Sequence, residues 1–171
     1  MSLMKTLATN VTRESLESGG ELIKLQHPTG AKTFYKLQGE EDSKKGLVVC
    51  VHGLGAYHYH WKGLTPVLVT AGYRVLSLDL YGRGFSDCVD ENSIAVWVQQ
   101  IHELLEATNL LKAYPNYNLI GHSMGGLICL SYAHTYPDEV NSMSLLSPAG
   151  SYISLSLSLS LYIYIYIYIT Y

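Results

Sequence analysis

The stretch Gly121-His122-Ser123-Met124-Gly125-Gly126 sets one hydroxyl between glycines two residues away on either side. The pattern is G-x-S-x-G, which presents a nucleophile when a strand precedes it and a helix follows. Here "YNLIGHS" reads as the strand and "MGGLICLSYAHTY" as the helix, so the context is present. On such a turn Ser123 must take a strained backbone conformation, and side chains at positions 121 and 125 would collide. Gly126 would let the helix pack close. A helix beginning directly after Ser123 turns free N–H groups and the positive end of its dipole toward a developing oxyanion, with Met124 N–H as the expected donor. The chemistry implied is attack of a serine oxygen on a carbonyl carbon. The plainer alternative is a small-residue strand-to-helix turn with no chemistry, and the context favours the first reading.

Two other constellations imply less. Gly53-Leu54-Gly55 follows an apolar run, but the third glycine of a G-x-G-x-x-G fingerprint is replaced by His58. No nicotinamide cofactor is expected. His58-Tyr59-His60 has the spacing of two metal ligands, yet no Asp, Cys or further His stands at an interval that completes a tetrahedral set. No metal is expected, and the stretch reads instead as an aromatic pocket wall.

The elements that must position Ser123 follow from periodicity. "ELIKLQ" and "KTFYKLQ" alternate like two strands, joined by the turn signal His27-Pro28-Thr29-Gly30. "GLVVCVH", Gly46 to His52, is a continuous apolar run suited to a strand buried on both faces. A helix is predicted from about Trp61 to Thr70, stopped by Gly72. "YRVLSLDL", Tyr73 to Leu80, is another buried strand, and the loop "YGRGFSD" leaves its end. Ile94, Trp97, Val98, Ile101, Leu104, Leu105, Thr108 and Leu111 fall at three- and four-residue spacings and predict one amphipathic helix. "VNSMSLLSP" closes the pattern as a last strand. Strands alternating with helices after a hairpin argue an α/β fold, a mostly parallel sheet with helices on both faces.

At 171 residues the chain is one domain in size, and its net charge of −3 gives no footprint for nucleic acid. Cys50, Cys88 and Cys129 are odd in number and lack C-x-x-C spacing, which fits a reducing compartment. The first twenty residues lack the apolar run of a secretory signal and carry Glu14 and Glu17, so the cytoplasm is the expected location and the Asn10-Val11-Thr12 sequon reads as idle.

The chain resembles the α/β-hydrolase family. The residues that carry the likeness are "VHGLG" (Val51 to Gly55), Trp61, "AGYRVLSLDLYGRGFSD" (Ala71 to Asp87), "GHSMGG" (Gly121 to Gly126) and "YPDEVNSMSLLSPAG" (Tyr136 to Gly150). They stand in the family's order over about Glu21 to Gly150. The likeness is greatest to the serine-hydrolase branch with monoacylglycerol lipases, carboxylesterases and C–C bond hydrolases. It implies that Leu54, after His52-Gly53, gives the second oxyanion N–H, and that His52 braces this loop rather than acting as a base. It also implies that Asp79 and Arg83, with Asp87, buttress the neighbouring loop.

The same resemblance exposes a gap. In this fold the partners follow in the order Ser, then Asp or Glu, then His. The last carboxylate of this chain is Glu139 and its last histidine His134, both expected on the wrong side of the sheet for Ser123. After Gly150 comes "SYISLSLSLSLYIYIYIYITY". A TC dinucleotide repeat encodes Ser-Leu and a TA repeat encodes Tyr-Ile, so the tail reads as translated microsatellite, and the hydrolase domain as truncated after the strand that follows the Ser123 helix. Its alternation also suits a strand able to pair with an exposed sheet edge; a membrane anchor is the lesser reading. The expected organisation is thus a polar leader over 1–20, a partial hydrolase domain over 21–150 and a low-complexity tail over 151–171.

The expected activity is hydrolysis of a carboxylic ester or acylglycerol through Ser123, weak or lost in this chain. The rival readings are a non-catalytic ligand-binding protein on the same fold and an unstable fragment. A small ester or lipid is the expected partner, with no nucleic acid, and with membrane contact only through the tail; oligomeric state is not legible.

Overall fold

The computed structural model describes residues 19–28, 30–149 and, as a strand, 164–168. Most of the expected leader and tail lies outside these residues. The order of elements is β1 (Gly20–Lys24), β2 (Lys32–Gln38), β3 (Leu47–Val51), a 3-10 turn (His58–Trp61), α1 (Thr65–Thr70), β4 (Arg74–Leu78), α2 (Ile94–Ala107), α3 (Leu110–Ala113), β5 (Tyr117–His122), α4 (Met124–Thr135), a 3-10 turn (Pro137–Glu139), β6 (Val140–Leu146) and β7 (Tyr164–Tyr168).

These strands form one sheet in the order β1-β2-β4-β3-β5-β6-β7. β1 pairs antiparallel with β2, and β2 with β4, while every other pair is parallel. The Val-rich run of β3 is buried at all five positions because both of its faces are covered. Leu47, Val49 and Val51 face the larger core with Ile101, Leu104, Leu105 and Ile128 of α2 and α4. Val48 and Cys50 face a smaller core with Trp61, Leu64 and Leu68 on the side of α1.

Two helices differ from expectation. The stretch predicted from Trp61 to Thr70 divides into the 3-10 turn and a six-residue α1. Pro66 stands in the first turn of α1, where its missing N–H costs no intrahelical hydrogen bond, so the helix starts beside it at Thr65. Gly72 ends it at φ +93°, as expected of a stop. The amphipathic helix starts at Ile94, where the Ser93 hydroxyl accepts from Val96 N–H, but it ends at Ala107. Asn109 takes the left-handed conformation, φ 58°, and turns the chain into α3, so Leu111 belongs to a separate helix.

The sheet also continues past β6. β7 adds in parallel, with Met143 in register with Ile165 and Leu145 with Ile167. The alternating tail therefore supplies an edge strand, as its periodicity allowed.

α2 is tied to the first hairpin by a carboxylate. Glu103 Oε2 accepts from the N–H groups of Gln26 and His27 at 2.8 and 3.0 Å. Burial pushes this carboxyl upward, but hydrogen bonds from Gln99, His27 and Gln26 outweigh it and hold it below the usual carboxylate range.

Candidate functional site

β5 and α4 meet at Ser123, which has φ 52° and ψ −118°. A non-glycine residue there stores about 1–3 kcal/mol of strain, which the surroundings must over-determine. They do so through the backbone. Ser123 N–H donates to Leu146 O at 3.0 Å, and Ser123 O accepts from Gly126 N–H at 3.0 Å and Ala149 N–H at 2.9 Å. The turn is thus bonded both to its own helix and to the loop after β6.

The glycines around it have no room for a side chain. A Cβ on Gly121 would lie 2.5 Å from Gly125 O, and one on Gly125 would lie 2.2 Å from Val51 O. On Gly126 it would meet Pro148 at 2.8 Å, and on Gly53 it would come within 3.1 Å of Ser123 Cβ. The Gly53 loop and the Ser123 turn are therefore in direct apposition at the carboxyl ends of β3 and β5. From β3 the chain goes to β4 on one side and later to β5 on the other, so this is a switch point where open α/β sheets form ligand crevices. Met124 is the first residue of α4, where an N–H has no intrahelical acceptor. Leu54, on the facing loop, is 69% exposed.

His52 is fully buried, and both of its ring nitrogens are committed. Leu80 N–H donates to Nε2 at 3.1 Å, which leaves Nδ1 as the protonated nitrogen, donating to Gly53 O at 2.9 Å. The ring holds the start of the Gly53 loop against the chain leaving β4. Burial pulls the imidazole below its usual value, opposed by the hydrogen bond to Gly53 O and by Asp79. The unfolded chain therefore takes up a proton at a pH where folded His52 does not. Stability is full above pH 6.5 and declines as pH falls from there toward the folded value. Urea unfolding at pH 7.5, 6.5 and 5.5 is expected to show that decline, with a shallower slope in His52→Gln.

Asp79 is completely buried and organises the second loop. Its Oδ1 accepts from His58 N–H at 2.6 Å and His58 Nδ1 at 2.8 Å, and its Oδ2 accepts from Phe85 N–H at 2.8 Å. The Ser86 hydroxyl donates to Asp79 O, and Gln100 reaches the same carbonyl at 3.1 Å. Asp87 Oδ2 accepts from Lys32 N–H at 2.9 Å, which anchors the loop to β2. The Arg83 guanidinium donates to its neighbour Gly82 O at 2.8 Å rather than to Asp87. The cross-links of the loop thus run through Asp79, Ser86 and Asp87.

The paired histidines of the 3-10 turn go separate ways. His58 is buried on Asp79, whereas the exposed His60 stacks on His122 with ring centroids 4.6 Å apart. His60 also meets Trp61 edge to face at 4.9 Å. Sequence reading missed this stack, and the available signal was the position of His122 inside the Gly121–Gly125 turn, the elbow between β5 and α4, and of His60 beside Trp61. Among the described residues, no three His, Cys, Asp or Glu side chains converge to hold a metal.

Glu139 lies at the opposite end of β5 from Ser123. Its Oε2 accepts from the hydroxyls of Tyr117 and Tyr132 at 2.8 and 2.6 Å. His134 is exposed near the end of α4, also remote from the elbow. Neither is brought to Ser123. Among the described residues no imidazole or carboxylate is hydrogen-bonded to the Ser123 hydroxyl, and no helix is long and apolar enough to cross a membrane.

Known proteins are similar to this chain. Over 127 residues the chain is 28% identical to a proline iminopeptidase of Lactiplantibacillus plantarum, covering 71% of this chain and 43% of that protein. It is 29% identical over 133 residues to the monoacylglycerol lipase ABHD6 of Mus musculus, covering 77% and 38%. Among solved structures, an esterase from Exiguobacterium antarcticum superposes with a TM-score of 0.66 at 26% identity, over 77% of this chain and 46% of that one. The chain spans less than half the length of these relatives. The family model of the alpha/beta hydrolase fold matches residues 46–161, and the chain belongs to the alpha/beta hydrolase fold family.

Proposed function

We propose that Ser123 is the nucleophile of a serine hydrolase acting on a carboxylic ester or acylglycerol. The observation that carries this is the positive φ of Ser123, held at the head of α4 by glycines whose Cβ positions are already occupied by backbone. Ser123 Oγ would attack the carbonyl carbon, its proton passing to a base, while Met124 and Leu54 N–H groups take the charge that develops on the carbonyl oxygen. Collapse of the tetrahedral species expels the alcohol, and water then frees the acid. His52 and Asp79 serve by fixing the two loops. The ester and lipid relatives support the substrate class.

Among the described residues no base is hydrogen-bonded to Ser123: His52 and His58 are engaged elsewhere, and His60 lies in the stack with His122. This same observation favours a second reading, a ligand-binding protein on the fold. A fluorophosphonate probe separates the two. Slow, stoichiometric labelling that disappears in Ser123→Ala is the result expected for the hydrolase site. Turnover of a p-nitrophenyl ester by the chain alone should lie on the order of 10⁴ or more below that of a complete triad enzyme. Unlabelled wild-type chain, or labelling that survives Ser123→Ala, would count against Ser123 as nucleophile.

A further inference from the structure

The two edges of the sheet are protected unequally. β1, at one edge, carries Glu21 and Lys24, and charges on an edge strand oppose pairing with another chain. β7, at the other edge, reads Tyr-Ile-Tyr-Ile-Tyr, and no charged residue follows Glu139 anywhere in the sequence. These are strong strand formers without a proline or glycine among them. One side of β7 pairs with β6, and among the described residues no strand pairs with its other side.

We propose that the free edge of β7 pairs with β7 of a second copy of this chain. The occupant follows from symmetry. A two-fold axis normal to the sheet brings one edge against itself with the strands antiparallel and keeps each face continuous across the junction. A register centred on Tyr166 sets tyrosine positions opposite tyrosine positions and isoleucine positions opposite isoleucine positions, so the alternation of one copy matches that of the other. The product is a closed dimer with one continuous sheet, and further growth is stopped at β1 by its charges.

The test uses the full chain with the exposed Cys88 replaced, Cys88→Ser. Light scattering after size exclusion is expected to give twice the 19.0 kDa chain mass. Tyr166→Lys places like charges opposite each other and should raise the dimer Kd at least about tenfold. Tyr166→Glu should do the same, and mixing the two variants should restore the dimer. Should either charged variant misfold by circular dichroism, Tyr166→Cys provides the second measurement. Antiparallel pairs hold Cα atoms about 4.5–5.5 Å apart, within disulfide reach, so mild oxidation should yield a covalent dimer. A monomeric wild type, open-ended assembly, a dimer indifferent to Tyr166→Lys, or no cross-link through Tyr166→Cys would overturn the proposal.

Discussion

Gly125→Ala is expected to cost about 3 kcal/mol or more, at the upper end of what overpacking does to a folded domain. The added methyl would sit 2.2 Å from Val51 O and 2.7 Å from His52 O, which are backbone atoms of the central strand and its continuation. Neither can rotate away, so α4 must lift from β3 or the strand must bend. Gly126→Ala is the control, because its nearest obstacle is the Pro148 ring at 2.8 Å, in a loop that can shift. Urea midpoints by circular dichroism should rank wild type, then Gly126→Ala, then Gly125→Ala. The steric argument fails if the two alanine variants are equally stable. The same displacement would carry Ser123 away from Gly53, so phosphonate labelling should fall before the fold is lost.

Asp79→Ala should be destabilising by about 3–5 kcal/mol, because it leaves several buried donors without an acceptor. It removes the acceptor of three hydrogen bonds and strands His58 N–H, the His58 ring and Phe85 N–H away from water. At this chain length that corresponds to a fall in Tm of roughly 10 °C. Asp79→Asn keeps one carbonyl oxygen for His58 but turns an amide donor toward Phe85 N–H, so about 1–3 kcal/mol is expected. Thermal unfolding that showed Asp79→Ala no worse than Asp79→Asn would remove the carboxylate from its place as organiser of the two loops.

The parts of this fold legible in the sequence were those set by local pattern. The unbroken apolar run of β3 declared burial on two faces, and the glycines flanking Ser123 declared a turn with no room for side chains. Local pattern gave out where two signals competed. Periodicity carried the Ile94 helix on to Leu111, whereas Asn109 in the left-handed region stopped it earlier. Hydrophobicity joined Trp61 to Thr70, whereas the chain divides there into a 3-10 turn ending at Trp61 and a helix starting at Thr65 with Pro66 in its first turn. At the site, the elbow could be read because its residues are contiguous. The His60–His122 stack and the His58–Asp79 bond could not, since they join residues 62 and 21 positions apart through the tertiary fold.

The position of β3 also has a consequence for biosynthesis. It lies in the sheet between β4 and β5, but β5 begins 66 residues after β3 ends. At about 5–20 residues per second, a ribosome takes roughly 3–13 s to cover that distance. For that interval the five apolar residues of β3 emerge with one flank waiting for a partner still inside the translating machinery. Slow codons between β4 and β5 would lengthen the exposure, and a holding chaperone on the nascent chain would shorten its cost.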